Sequence, residues 1–265
     1  MKPLSLLFLT SLTLTGCGAN NTPPNTGIPG EKTSTTLQTL ETGAQVIQSR
    51  PPIDAISAYL DGFHFYNGDK NGQMMEAHHY VTVLNEDVMQ AVIYDGNTKD
   101  ARLMGVEYII SERLFNTLPP EEKKLWHSHQ YEVKSGSLIA PGLPAVADKA
   151  LMKKIVNTYG KTWHTWHTDR DKTLPFGIPA LMMGFTGEGQ LDPALLADRD
   201  RRLKVNTQAI KQERADIVAH PVAPGANAWQ RGEVIQLKRV EGAGEHGHGD
   251  TTHFGRSEQT KRDNP

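Results

Sequence analysis

One cysteine, Cys17, stands in a chain of 265 residues, and that count limits what can hold the fold together. With a single thiol no intrachain disulfide can form, and no multi-cysteine metal site is available. The fold must therefore rest on an ordinary apolar core, for which a chain of this length is ample. Hydrophobic residues make up 37% of the sequence and the formal net charge is −2. Such a near-neutral balance gives no electrostatic reason to expect nucleic acid as a partner.

The position of Cys17 carries a second implication. Lys2 and the apolar stretch Leu4 to Leu14 read as a signal peptide. At roughly 11 residues the stretch is too short to span hydrocarbon, which takes roughly 20. It ends in Leu14-Thr15-Gly16-Cys17, which resembles the lipobox of bacterial lipoproteins and makes Cys17 the lipidated residue. A chance cysteine behind an ordinary cleaved signal is the alternative. The organisation that follows is residues 1–16 as a lipoprotein signal peptide, 17–33 as a flexible tether, 34–240 as one domain and 241–265 as a disordered His-rich tail. The expected partner is then a membrane, reached through acyl chains such as palmitate. The expected location is the cell envelope, at the outer membrane facing the periplasm, because Gly18 after the cysteine resembles outer-membrane sorting.

Between tether and tail, helical and strand patterns alternate without a βαβ rhythm. Ser34 or Thr35 caps a helix towards Ile47, and Pro51-Pro52 opens another in which Ile53, Ile56 and Leu60 share helical spacing. His78–Leu84 and Val88–Tyr94 read as a hairpin, followed by a strand over Arg102–Ile110. Helices are expected over Ser111–Leu118, from Pro120, around Leu151 to Tyr159 with Gly160 as the stop, and from Asn206 to about Val218. Trp163–Thr168, Ala180–Phe185 and Val234–Lys238 are further strand candidates. The fold class implied is α+β, a single domain with a largely antiparallel sheet and several packed helices.

The middle of the chain resembles the oil-body-associated protein family. The resemblance lies in YLDGFHFYNGDK (Tyr59–Lys70), EAHHY (Glu76–Tyr80), LNEDVMQAVIYD (Leu84–Asp95), ARLMGVEYIIS (Ala101–Ser111), LPPEEKKLWHSHQYEVKSG (Leu118–Gly136), YGKTWHTWHTDR (Tyr159–Arg170) and PALMM (Pro179–Met183). It extends over roughly residues 38 to 230. What it implies is an association with lipid, with no catalytic residue or cofactor to carry over. The lipobox, tether and His-rich tail depart from the plant pattern and point to an envelope instead.

The residues best suited to chemistry are His127-Ser128-His129 with Glu132. On a strand, positions two apart share a face, so two imidazoles converge on one ion with bonds of roughly 2.0–2.1 Å. The pattern resembles the metal motif of cupins, with Glu132 one or two residues early and on the opposite strand face unless a bulge intervenes. The candidate metal ligands are His127, His129 and His164, and a divalent transition metal is the cofactor they would hold. His78, His79, Glu107 and His167 stand in reserve. The pairs His78/His79 and His164/His167 each have opposite parity, so one member of each would join. Histidines beside Trp126, Trp163 and Trp166 equally suit simple packing. The tail histidines His246, His248 and His253 would bind metal only loosely. The functional expectation is a lipid-anchored envelope protein that binds an apolar ligand or a lipid surface. The alternative is a metal-dependent enzyme built on the His-x-His pair.

Overall fold

A computed structural model describes residues 21–25, 27–69 and 72–239. Cys17, the signal peptide at 1–16 and the tail at 241–265 lie outside the described residues. The elements in order are α1 (Thr35–Ile47), α2 (Pro51–Asp54), β1 (Ala58–Tyr66), β2 (Met74–Val83), β3 (Val88–Tyr94), β4 (Leu103–Ser111), α3 (Glu112–Thr117), α4 (Pro120–Lys123), β5 (His127–Ser128), α5 (Gln130–Ser135), α6 (Ala145–Ile155), β6 (Thr158–His164), β7 (Ala180–Met183), α7 (Pro193–Leu203) and α8 (Thr207–Glu213). A short 3-10 turn follows over Ala228–Arg231. The class is α+β with an antiparallel sheet.

The sheet closes on itself. Strands follow the order β4-β3-β2-β1-β7-β6, and β6 returns to pair with β4, giving a six-stranded antiparallel barrel. Closure removes the free edges that an open sheet of this length would leave. One edge of β6 lies along β4, while the other is shared. There β7 pairs with Thr162–His164 and β5 with Tyr159–Gly160. This hand-over lets His127 enter the barrel wall directly opposite Gly160.

Register decides which side chains look inward. Directly paired residues share a face, and the pairs Leu60↔His79, His79↔Ile93, Ala91↔Glu107, Glu107↔Thr162 and Gly105↔His164 run around the barrel. One end of the interior is apolar, with Leu60, Val81, Met89, Ala91 and Ile109 packed on Val133 of α5 and Met152 and Ile155 of α6. The outer face of β1 and β7 carries Phe63, Phe65, Leu181 and Met183, covered by Leu195 and Leu196 of α7 and by Trp229.

Two buried arginines fix the segment that plugs the apolar end. Arg199 of α7 reaches Asp61 at 2.9 Å and the carbonyls of Ser137 and Gly136. Arg214 bonds the carbonyls of Val133 and Leu138 at 2.9 and 2.7 Å. Near the start of the described residues, Thr22 and Asn25 donate to the side chains of Asn97 and Asp95. That places part of the stretch read as a tether against the β3–β4 turn.

Several elements depart from their sequence patterns. The helix expected from Pro51 to Leu60 stops at Asp54, and Leu60 is in β1. Tyr159 and Gly160 begin a strand rather than end a helix, and β6 stops at His164 where a strand to Thr168 was expected. Val234–Lys238 forms no strand. For Leu60 and for Tyr159 and Gly160 the apolar spacing was short enough to suit either element, and barrel pairing decided it. Among the described residues no helix is long and apolar enough to cross a membrane.

Candidate metal centre

Six elements bring titratable side chains to one point in the barrel. They are His64 from β1, His79 from β2, Glu107 from β4, His127 from β5, His129 and Glu132 at the start of α5, and His164 from β6. None is more than 4% exposed. The expected strand face of His127 and His129 is not what unites them. The strand ends at Ser128, and His129 has helical backbone and caps α5. That single turn brings Glu132 back beside His127, so no bulge is needed.

Glu107 lies at the centre. Its Oε1 is 3.1 Å from His129 Nε2 and 3.4 Å from His127 Nε2, and its Oε2 is 3.1 Å from His79 Nε2. His64, Glu107 and His127 offer ligand atoms within 4.8 Å of one another, and so do His127, His129 and Glu132. His164 is one ring further out, 3.2 Å from His64 Nδ1. It backs the cluster rather than touching Glu107. His79 and His164 are the members of their pairs that face the interior. His78 turns outward to Asp61 and Glu76, and His167 lies 3.0 Å from the carbonyl of Ile178.

Glycines make the room. A Cβ on Gly160 would lie 2.0 Å from Glu107 Oε1 and 2.8 Å from His129 Nε2, and one on Gly184 would lie 2.4 Å from Glu132 Oε2. The cavity among these side chains is about 10 Å³, the space of one water-sized body.

The electrostatics divide the two carboxyls. Burial opposes charge on Glu107, but the facing His127, His129 and His79 outweigh it and hold the carboxyl well below the usual range. Glu132 is pushed well above it by burial and by the nearby Glu107. Burial lowers His64, His127 and His164, the last to about 3. The site thus sets the lowered imidazoles of His64 and His127 beside one anion, donor chemistry that suits a divalent cation.

A second group, Asp61, Glu76 and His78, is also close enough to ligate. Arg199 already holds Asp61 and Arg202 holds Glu76, so a cation there would compete with two guanidinium groups. His64 is the residue of the main cluster that sequence reasoning missed. The helical spacing of Ile53, Ile56 and Leu60 hid it, although Leu60, Gly62 and His64 alternate with the period of an inward strand face.

Comparison with known proteins places the chain. A family model described as protein of unknown function (DUF1264) matches residues 50–218. Oil body-associated protein 1B of Arabidopsis thaliana is 39% identical over 85% of this chain and 96% of its own length. Oil body-associated protein 1A of Zea mays is 43% identical over 82% of this chain and 92% of its own. No solved structure matches. These relatives overturn the location expected from the N-terminus. They are plant proteins named for oil bodies, and the outer membrane of a bacterium, facing the periplasm, is not where that kinship points. A four-residue lipobox is a short match, whereas identity over most of the chain does not arise by chance. The chain belongs to the oil-body-associated protein family.

Proposed function

We propose that this protein is a non-catalytic component of a lipid surface of the oil-body kind, a neutral-lipid core under a phospholipid layer. The observation that carries the reading is α1. None of its 13 residues is buried. Leu37, Leu40, Ala44 and Ile47 follow helical spacing and form one stripe, and Leu37, Leu40 and Ile47 are 48%, 64% and 84% exposed. The names of the relatives supply the kind of surface.

Each large side chain inserted would contribute roughly 1.5–3 kcal/mol. The helix has no Lys or Arg and a single acid, Glu41. Attraction to anionic headgroups is therefore not its means of attachment, and apolar insertion is. This reading needs no acyl chain on Cys17.

The test is flotation of the full chain with a triolein emulsion coated with phosphatidylcholine. The protein should rise with the lipid layer at low and high salt alike. Leu40→Asp with Ile47→Asp should leave it in the aqueous phase at an unchanged Tm. An unsubstituted chain that stays below the lipid would end the proposal.

The alternative of a metal-dependent enzyme is not favoured. The cavity of about 10 Å³ beside the histidines holds a water or an ion, not a substrate alongside it.

A further inference from the structure

We propose that the barrel interior binds one divalent transition-metal ion at Nε2 of His127, with His64 and Glu107 on one side and His129 and Glu132 on the other supplying the remaining donors. Thr158 is the positioning residue that sets the His129 tautomer. The inference is independent of how the protein meets lipid.

The first support is where one proton must go. The Thr158 hydroxyl donates its hydrogen to the carbonyl of Ile155 at 2.7 Å. Its oxygen can then only accept from His129, whose Nδ1 is 2.9 Å away, so Nδ1 carries the ring hydrogen. With Nδ1 so occupied, His129 aims Nε2 at Glu107 Oε1, 3.1 Å away, and into the cluster. A hydrogen-bonded second nitrogen is how ligating histidines are usually oriented.

Spacing is the second support. Donor atoms held at roughly 2.0–2.1 Å by one tetrahedral ion lie about 3.4 Å from one another. The His129 and His127 Nε2 atoms stand 3.1 and 3.4 Å from the same oxygen, Glu107 Oε1. Charge-assisted hydrogen bonds run shorter, at about 2.7–2.9 Å. The third support is His127, wholly buried with neither ring nitrogen hydrogen-bonded. Glu132 Oε2, on its flank, is unpaired as well. Buried polar atoms are rarely left so, and an ion at Nε2 gives His127 its partner. The donor set has no sulfur, which suits Zn(II), Fe(II), Ni(II) or Mn(II) and not Cu(I).

The test uses the full chain without an affinity tag, with His246→Ala, His248→Ala and His253→Ala to silence the tail. The protein is unfolded with chelator, refolded with Zn(II) or Co(II), desalted and analysed for metal. We expect about one ion per chain and a higher Tm than after metal-free refolding. Thr158→Val should keep its circular dichroism and weaken metal affinity by about 10–100-fold. Glu107→Gln should abolish binding. Should either variant not fold, the chain with its native core still decides. Less than about 0.1 ion per refolded chain, with an unchanged Tm, would overturn the proposal, and so would full affinity in folded Glu107→Gln.

Discussion

At the scale of single residues, burying an ionisable group ties stability to pH and to the partner it keeps. Neutral His164 inside the barrel has its pKa lowered to about 3 by burial first and by His79 and His167 next. In the unfolded chain the same group titrates near 6.5. Below that value the unfolded state binds the extra proton, so stability rises with pH and is lost on acidification from about 6.5 towards 3. Between pH 7 and pH 5 this one group costs roughly 2 kcal/mol. Urea unfolding of His164→Gln should show a smaller fall over that interval by about that amount. An equal fall in both proteins would mean that His164 is not held neutral. The opposite case is Asp61, where burial and Glu76 push the carboxyl up and Arg199 opposes them. Both Arg199 and Asp61 are wholly buried. Arg199→Leu should therefore destabilise the fold by roughly 3–5 kcal/mol, and adding Asp61→Leu should recover part of that loss. A single substitution costing under about 1 kcal/mol would show the pair to be dispensable.

At the scale of elements, the β6 strand shows why a barrel centre needs glycine. Gly160 faces inward opposite His127 and Ile109, and a Cβ there would overlap Glu107 Oε1. Gly160→Ala should destabilise the chain by roughly 1–3 kcal/mol through overpacking and should displace the Glu107 carboxylate, readable as lost metal stoichiometry. The same strand marks the limit of what the sequence discloses. Helix α1 with its Ser34 cap, and the hairpin of β2 and β3, follow from local spacing and capping alone. Likewise the parting of His78 from His79 is legible, because adjacent residues on a strand must part, whereas His167 parts from His164 because β6 ends at His164, and His129 reaches the cluster from α5. Gly160 reads locally as a helix stop, and only its pairing with β4 and β5 makes it a wall position. His64 was hidden for a related reason. Its inward face is apparent once β1 is known to be a strand, and the Ile53–Ile56–Leu60 spacing argued for helix there. Glu132 needed the opposite correction, a strand cut short so that one helical turn returns its carboxyl to the histidines.

At the scale of the whole molecule, the exposed helix α1 and the histidine cluster are physically separate. Helix α1 buries nothing, so no core contact ties its apolar stripe to the barrel interior. The cluster is buried at the other extreme and is closed in by strand pairing on every side that the register describes. Coupling between two sites requires an element with two arrangements that both sites bias, and a closed ladder packed on α5, α6 and α7 offers no such element between them. The two behaviours should therefore separate. Leu40→Asp with Ile47→Asp should abolish flotation with the emulsion and leave metal stoichiometry and Tm as they were. Glu107→Gln, where folded, should lose metal and float as before. If metal-free protein with native circular dichroism no longer met the lipid layer, the ion would have to order α1 or its neighbours. The barrel would then be a switch for the lipid surface rather than a scaffold standing behind it.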